Sequence, residues 1–212
     1  MKYTSLILLL ACMLVLLGVR VALSETVTYV FLIWNVFLAF VPYYLSNFFV
    51  QALPKISFKT TLLFIAWLLF LPNSFYVITD FVHLKERVVI PIWYDAMLLF
   101  TATFTSLLLG LSSLINVEMY LQKIVTKQMS YIIIIGCLFL SGFGVYLGRF
   151  LRFNSWDVLQ QPSVLVIEIY DRCVNPLQHL RTWSVAIVFT FFTACCWLIF
   201  KNFKHRSQPT VK

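Results

Sequence analysis

The side chains able to do chemistry in this sequence are concentrated in three short stretches. The first runs Leu69-Phe70-Leu71-Pro72-Asn73-Ser74-Phe75-Tyr76-Val77-Ile78-Thr79-Asp80-Phe81-Val82-His83-Leu84. Pro72 has no backbone donor and crowds the preceding turn, so a kink is expected there. With helix resuming beyond it, Asn73, Tyr76, Asp80, His83 and Arg87 fall at offsets 0, 3, 7, 10 and 14. At about 100° per residue they share an arc of roughly 80°. Within a membrane such a stripe faces the protein interior or water, because facing lipid would cost kilocalories per side chain. It either lines a site or pathway, or it is a hydrogen-bonded seam between helices. Asp80 and His83 could act as an acid/base pair. With His179 and Asp95 they could instead approach a metal ion, but two ligands on one helix do not make a site, and no metal is assigned.

The second stretch is Pro91-Ile92-Trp93-Tyr94-Asp95. Pro91 suits a helix start, Trp93 and Tyr94 suit an interfacial aromatic belt, and Asp95 in a first turn complements the helix dipole. Asp95 also enters at about the depth where Asp80 leaves, so Asp80, His83 and Asp95 form the candidate catalytic set. The third stretch is Gly142-Phe143-Gly144-Val145-Tyr146-Leu147-Gly148-Arg149-Phe150-Leu151-Arg152-Phe153-Asn154-Ser155-Trp156-Asp157. Gly144 and Gly148 let another helix approach closely. Arg149 and Arg152 could grip phosphate or carboxylate by forked hydrogen bonds. Alternatively they pair with Asp80 or Asp95 and snorkel to the interface. Asn73, Tyr76, Arg149, Arg152, Asn154 and Asp157 are the candidate substrate-binding residues.

The elements that carry these residues are membrane helices. Of 212 residues 61% are hydrophobic and 11% charged, against about 25% charged in average globular domains. So few charges cannot cover a water-facing surface. The apolar runs are continuous rather than alternating, which favours helices over a barrel. Six segments are long enough to span, at approximately 3–23, 27–49, 60–79, 96–115, 129–148 and 182–200. The expected fold is therefore all-α, one polytopic transmembrane bundle over residues 1–212. The first apolar run lacks a small-residue cleavage site and reads as a retained helix. Between the fifth and sixth spans lies a loop of about 32 residues, 150–181, long enough to be functional or internally packed. In it Val164–Val174 reads as an interfacial helix with Glu168 and Arg172 at i,i+4.

With the N-terminus inside, nine Lys and Arg fall on the inner side (Lys2, Lys55, Lys59, Lys123, Lys127, Lys201, Lys204, Arg206, Lys212) and seven outside. That excess favours both termini in the cytoplasm. Seven acids then lie outside and only Glu118 inside, so a site, if there is one, belongs to the extracytoplasmic face. The net charge of +8 sits in short loops and the C-terminal tail, as topology requires, and is no argument for nucleic acid. Four of the five cysteines fall in spans and Cys173 alone in a loop, so no disulfide framework is expected. Walker A, GxGxxG, HExxH and GxSxG patterns are absent, and no cofactor is expected.

Asn35-Val36-Phe37-Leu38-Ala39-Phe40-Val41-Pro42, the run from Trp67 to Leu84, Pro91 to Asp95 and Gly144 to Asp157 resemble the DUF1361 family of bacterial integral membrane proteins, a domain of unknown function. The run LPN-x-x-Y-x-x-TD-x-x-HL is the most specific part. The resemblance implies a bacterial integral membrane protein, expected in the cytoplasmic membrane, and supplies no activity or cofactor.

Three functions are open at this point. One is a site at the outer leaflet that binds or modifies a membrane lipid or an envelope-linked anionic group. In it Arg149 and Arg152 bind the anion while Asp80 and His83 handle protons. The second is a small transporter or channel lined by the Asn73–Tyr76–Asp80 stripe. The third is a scaffold whose polar residues only lock helices together. A pathway needs polar residues along the whole depth, and the inner half offers chiefly Asn35, Thr101, Thr103 and Thr105.

Overall fold

The computed structural model describes residues 3–206, with side chains over 4–203. Lys2 and Lys212 of the inner basic set, and the side chains of Lys204, His205 and Arg206, lie outside the described residues. In chain order the α-helices are α1 (Tyr3–Ser24), α2 (Phe31–Gln51), α3 (Phe58–Tyr76), α4 (Ile92–Leu121), α5 (Lys127–Phe150), α6 (Asp157–Gln160), α7 (Pro162–Val174) and α8 (Leu180–Arg206). A 3-10 segment, Val77–His83, continues α3. No strand occurs among the described residues. Six helices are long and apolar enough to cross a membrane: Thr4–Ser24, Phe31–Gln51, Phe58–His83, Ile92–Leu121, Lys127–Phe150 and Leu180–Phe203.

Local sequence fixes where these helices begin. The Ser57 hydroxyl accepts from the Thr60 amide and the Thr60 hydroxyl from the Ser57 amide, a reciprocal cap that starts α3. Thr126 caps α5 by accepting from the Met129 amide. Extended Pro91 precedes α4, and Pro162 opens α7.

Helix α4 is the centre of the bundle. Of its most apolar window 72% is buried, against 17–39% for the other five spans. It packs on α1, α2 and α3, while α5 packs on α3 and α8. The largest core cluster joins Trp67, Leu71 and Phe75 of α3 to Leu111, Leu114 and Val117 of α4, Ile134 and Leu138 of α5, and Trp197 of α8. Small residues set the close approaches. A Cβ on Gly110 would lie 2.7 Å from Ser74 Cβ, one on Gly144 2.6 Å from Pro72 Cγ, and one on Gly142 2.6 Å from the Ala186 carbonyl. Six passes bring the end of α3, the start of α4 and the end of α5 to one end of the bundle, here called the Asp80 end. The opposite end carries Glu118.

Two elements differ from the sequence reading. The fourth span runs from Ile92 to Leu121, six residues beyond the expected 115. Asn116, Glu118 and Tyr120 end the apolar run, yet each finds a partner inside the bundle, so helix continues through them. Beyond Tyr76 the third span tightens to 3-10 geometry, so the five-residue stripe is not one continuous face. At three residues per turn Asp80 and His83 are eclipsed, whereas Arg87 leaves the helix altogether. In the long loop, helix α7 covers the expected Val164–Val174, and Arg172 bonds Glu168 one turn back.

Candidate functional site

At the Asp80 end the Asp80 side chain is 1% exposed and that of Arg149 15%. Asn35 Nδ2 donates to Asp80 Oδ2 at 2.7 Å, and Arg149 Nη1 approaches Asp80 Oδ1 at 3.3 Å. The same guanidinium donates to the Tyr76 hydroxyl at 3.4 Å and the Thr79 carbonyl at 3.0 Å. Its Nη2 also lies 3.3 Å from His83 Nε2. A guanidinium only donates, so that imidazole nitrogen accepts and the ring proton sits on Nδ1. His83 is held as the neutral tautomer, edge-on to Phe31 at 5.4 Å between ring centres. Asn35, Tyr76, Asp80, His83 and Arg149 are thus one network from three spans. Both terminal nitrogens of Arg149 bond protein atoms, which makes this residue a hub within the network.

Asp95 belongs to a second network. Arg20, fully buried, donates from Nε to Asp95 Oδ1 at 2.7 Å, and Arg87 Nε lies 3.6 Å from Oδ2. The Arg20 guanidinium carbon stands 4.5 Å above the Tyr29 ring. Burial, and then the Asp95 carboxylate, hold the Tyr29 phenol above its usual range. Its protonated hydroxyl donates to the His83 carbonyl at 2.9 Å and links the two networks. Asp95 therefore neutralises Arg20 of α1, a role beyond complementing a helix dipole. Two arginines around one carboxylate, and a third on Asp80, leave these two networks together with one surplus positive charge.

Of the remaining candidates, Asn73 donates to the Phe70 carbonyl at 3.1 Å and to Ser155 Oγ at 3.0 Å. Ser155 donates in turn to the Leu69 carbonyl at 3.1 Å, so the loop after α5 is fastened onto α3 around Pro72. Asp157 is buried and accepts from the Asn154 amide at 2.6 Å, closing the turn before α6. Arg152 is exposed and makes no hydrogen bond or ion pair among the described residues. Its φ of 63° is the left-handed conformation that usually ends a helix on glycine and costs other residues about 1 kcal/mol or more. His179 bonds Asp171 at 2.7 Å and has no bond to Asp80 or Asp95 among the described residues. The Asn175 amide and then His179 hold the Asp171 carboxyl below its usual range. No three His, Cys, Asp or Glu converge among the described residues.

Beside the first network lies a cavity of about 470 Å³. Asn35, Asn73, Tyr76, Asn154 and Ser155 supply its polar lining, and Ile65, Leu68, Leu69, Leu140, Phe143 and Leu147 much of its apolar wall. Leu165 and Ile169 of α7 close it on the loop side. Ile65 and Leu140 are 58% and 52% exposed, so the apolar end opens laterally where lipid would be. Eleven residues of helix separate Ile65 from Tyr76, about 16 Å of rise and about half of a 30 Å hydrocarbon core. Gly144 brings α5 onto Pro72, and Asn73 and Tyr76 line the cavity beside them.

Sequence reasoning placed Asn35 in the inner half and missed Arg20. Yet Asn35 lies one turn into a span that starts at the Asp80 end. Arg20 is the one charged residue in the first apolar span, close to its end, which is the available signal. The Glu118 end also holds more than topology. Glu118 is 3% exposed, accepts from Trp197 Nε1 at 3.0 Å and Gln122 Nε2 at 2.8 Å, and pairs with Lys201. Lys201 donates to the Tyr131 hydroxyl at 2.9 Å. This satisfied cluster locks α4, α5 and α8 together and faces no cavity among those described.

Comparison with curated proteins and with solved structures gives no match. The family described as "Protein of unknown function (DUF1361)" matches residues 34–196, which takes in the Asp80–Arg149 network, the cavity lining and five of the six apolar spans. The chain is a multi-pass membrane protein that belongs to the DUF1361 family.

Proposed function

We propose that the protein binds an amphipathic, lipid-type ligand in the outer leaflet of the cytoplasmic membrane. The cavity carries this reading: it is apolar and laterally open below, polar above, and about one leaflet deep. A chain would lie against Ile65, Leu68, Leu140 and Phe143, while a head group would meet Asn73, Tyr76 and Asn154. Polar atoms confined to one end fix the orientation of such a ligand, and the apolar wall supplies most of the binding free energy. The Asp80–Arg149 ion pair then positions Asn35 and Tyr76, which belong to both the network and the lining.

Both termini are placed in the cytoplasm on the basic-residue count, so the Asp80 end faces outward. Transport across the whole membrane finds less support, because the cavity reaches only half the depth and Glu118 is sealed within a satisfied cluster. Lipid extracted from the purified protein and identified by mass spectrometry tests the reading. Leu140→Trp fills the cavity from its exposed side with little effect on the core. A defined lipid at near-unit stoichiometry in the natural protein and its loss in the variant are expected. Lipid profiles that are the same in both would reject the reading.

A further inference from the structure

Six arginines have described side chains, and four of them face a carboxylate: Arg20 and Arg87 face Asp95, Arg149 faces Asp80, and Arg172 faces Glu168. The other two, Arg152 and Arg181, are exposed and have no carboxylate partner. They are not scattered. Arg181 stacks on the Phe150 ring, its guanidinium carbon 4.2 Å from the ring centre, and Arg152 lies two residues beyond Phe150 at the end of α5.

Stacking uses one face of a guanidinium and leaves its in-plane N–H fork free. It also limits the freedom of the side chain, so less is lost when that fork closes on a ligand. Arg152 is held in the left-handed conformation at a position where glycine would be easier. Each arginine has a sequence neighbour tied to the cavity. Phe153, next to Arg152, lines it. Phe143 lines it too and stacks on Trp183, two residues beyond Arg181, at 5.7 Å. Both terminal nitrogens of Arg149 are already engaged by protein atoms, so its fork is not available for this task.

We propose that Arg152 and Arg181 form a clamp for the phosphate of a membrane phospholipid, around Phe150 at the mouth of the cavity. This rests on the reading that the cavity takes the lipid's chain. Two unpaired forks at a membrane interface match the phosphate oxygens in charge and geometry. An uncharged head group would leave both cations unanswered.

The test uses the full chain in neutral detergent with native mass spectrometry as readout. Dioleoyl phosphatidic acid and dioleoylglycerol are the probes, identical in chains and different in phosphate. The natural protein is expected to favour the phosphatidic acid by about ten-fold or more. In the double variant Arg152→Gly, Arg181→Gln that preference should fall to about two-fold or less, with dioleoylglycerol binding retained. Arg152→Gly suits the left-handed backbone, so loss of fold is not expected. Leu140→Trp should weaken both lipids alike, and millimolar inorganic phosphate should displace neither. A double variant that keeps the full preference overturns the clamp, while the cavity reading stands if Leu140→Trp still weakens both. If Leu140→Trp changes neither lipid, the cavity reading falls and the clamp loses its premise. If inorganic phosphate alone removes the phosphatidic acid, the arginines bind free phosphate and the lipid clamp is overturned.

Discussion

Removing the Arg149 guanidinium would leave the Asp80 carboxylate, 1% exposed, with only Asn35 to answer it. Breaking a buried pair from one side costs roughly 3–5 kcal/mol, because the remaining charge is uncompensated. Arg149→Gln should lower stability by about that amount, seen as an earlier unfolding midpoint in detergent. Adding Asp80→Asn should restore more than half of the loss, since a neutral amide keeps a bond to Asn35 without the charge. Equal loss in the single and double variants would show that the pair is not the source. At this scale the sequence was informative about residue types. Asp80, His83, Arg149 and Tyr76 stood out because charge within apolar helices needs a partner. The choice among carboxylates was not legible: Arg149 could reach Asp80 or Asp95, and only the buried Arg20 on α1 decides that Asp95 is taken. Arg152, singled out as a second anion-binding residue, is one of two arginines that the fold leaves without a carboxylate, whereas Arg149, three residues before it, is consumed by the network.

Among the elements, the contact between α3 and α5 depends on a missing side chain. A Cβ on Gly144 would overlap the Pro72 ring, and that ring cannot move without its helix. Gly144→Ala should cost about 1–3 kcal/mol, whereas Gly136→Ala, with nothing within 4 Å of its Cβ, should be neutral or stabilise by up to about 1 kcal/mol. Thermal unfolding of the two variants checks this, and equal effects would contradict it. The link from α7 to the loop before α8 should respond to acid. The bonds from Asn175 and His179 depress the Asp171 carboxyl, so their contribution is fully present above the ordinary carboxylate value of about 3.9. It is lost as pH falls below that value through the depressed one. Hydrogen exchange over 171–179 should therefore rise only under about pH 4, and Asp171→Asn should abolish that rise. The six apolar spans were legible from hydropathy, and so was α7. The 3-10 segment was not, because VITDFVH carries no breaker and its tightening is set by Arg149 and Asn35 gripping Asp80 from other helices. Nor was the true end of α4, since Glu118 looks like a loop residue until Trp197 and Lys201, some eighty positions on, are seen to meet it.

For the whole molecule, the two ends divide their roles. The Glu118 end is a closed polar lock, while the Asp80 end combines two arginines without a carboxylate partner and a cavity open to the side. With that end outward, a cysteine in place of Asn154 should react with a membrane-impermeant reagent in intact cells, and reaction only after permeabilisation would invert the topology. The concentration of polar residues in the loops around spans three to five was visible in the sequence. The cavity was not, because it arises where a helix-interior proline, a glycine contact and a folded loop meet, each unremarkable alone. The central claim is that a lipid chain occupies this cavity rather than the general lipid-facing surface. Photo-crosslinking with a phospholipid carrying a reactive group in its acyl chain, followed by peptide mapping, addresses it directly. Crosslinks concentrated in 65–76 and 140–148, and lost in Leu140→Trp, are the result predicted. Crosslinks spread evenly over the exposed faces of α1 and α8, unchanged in that variant, would contradict it.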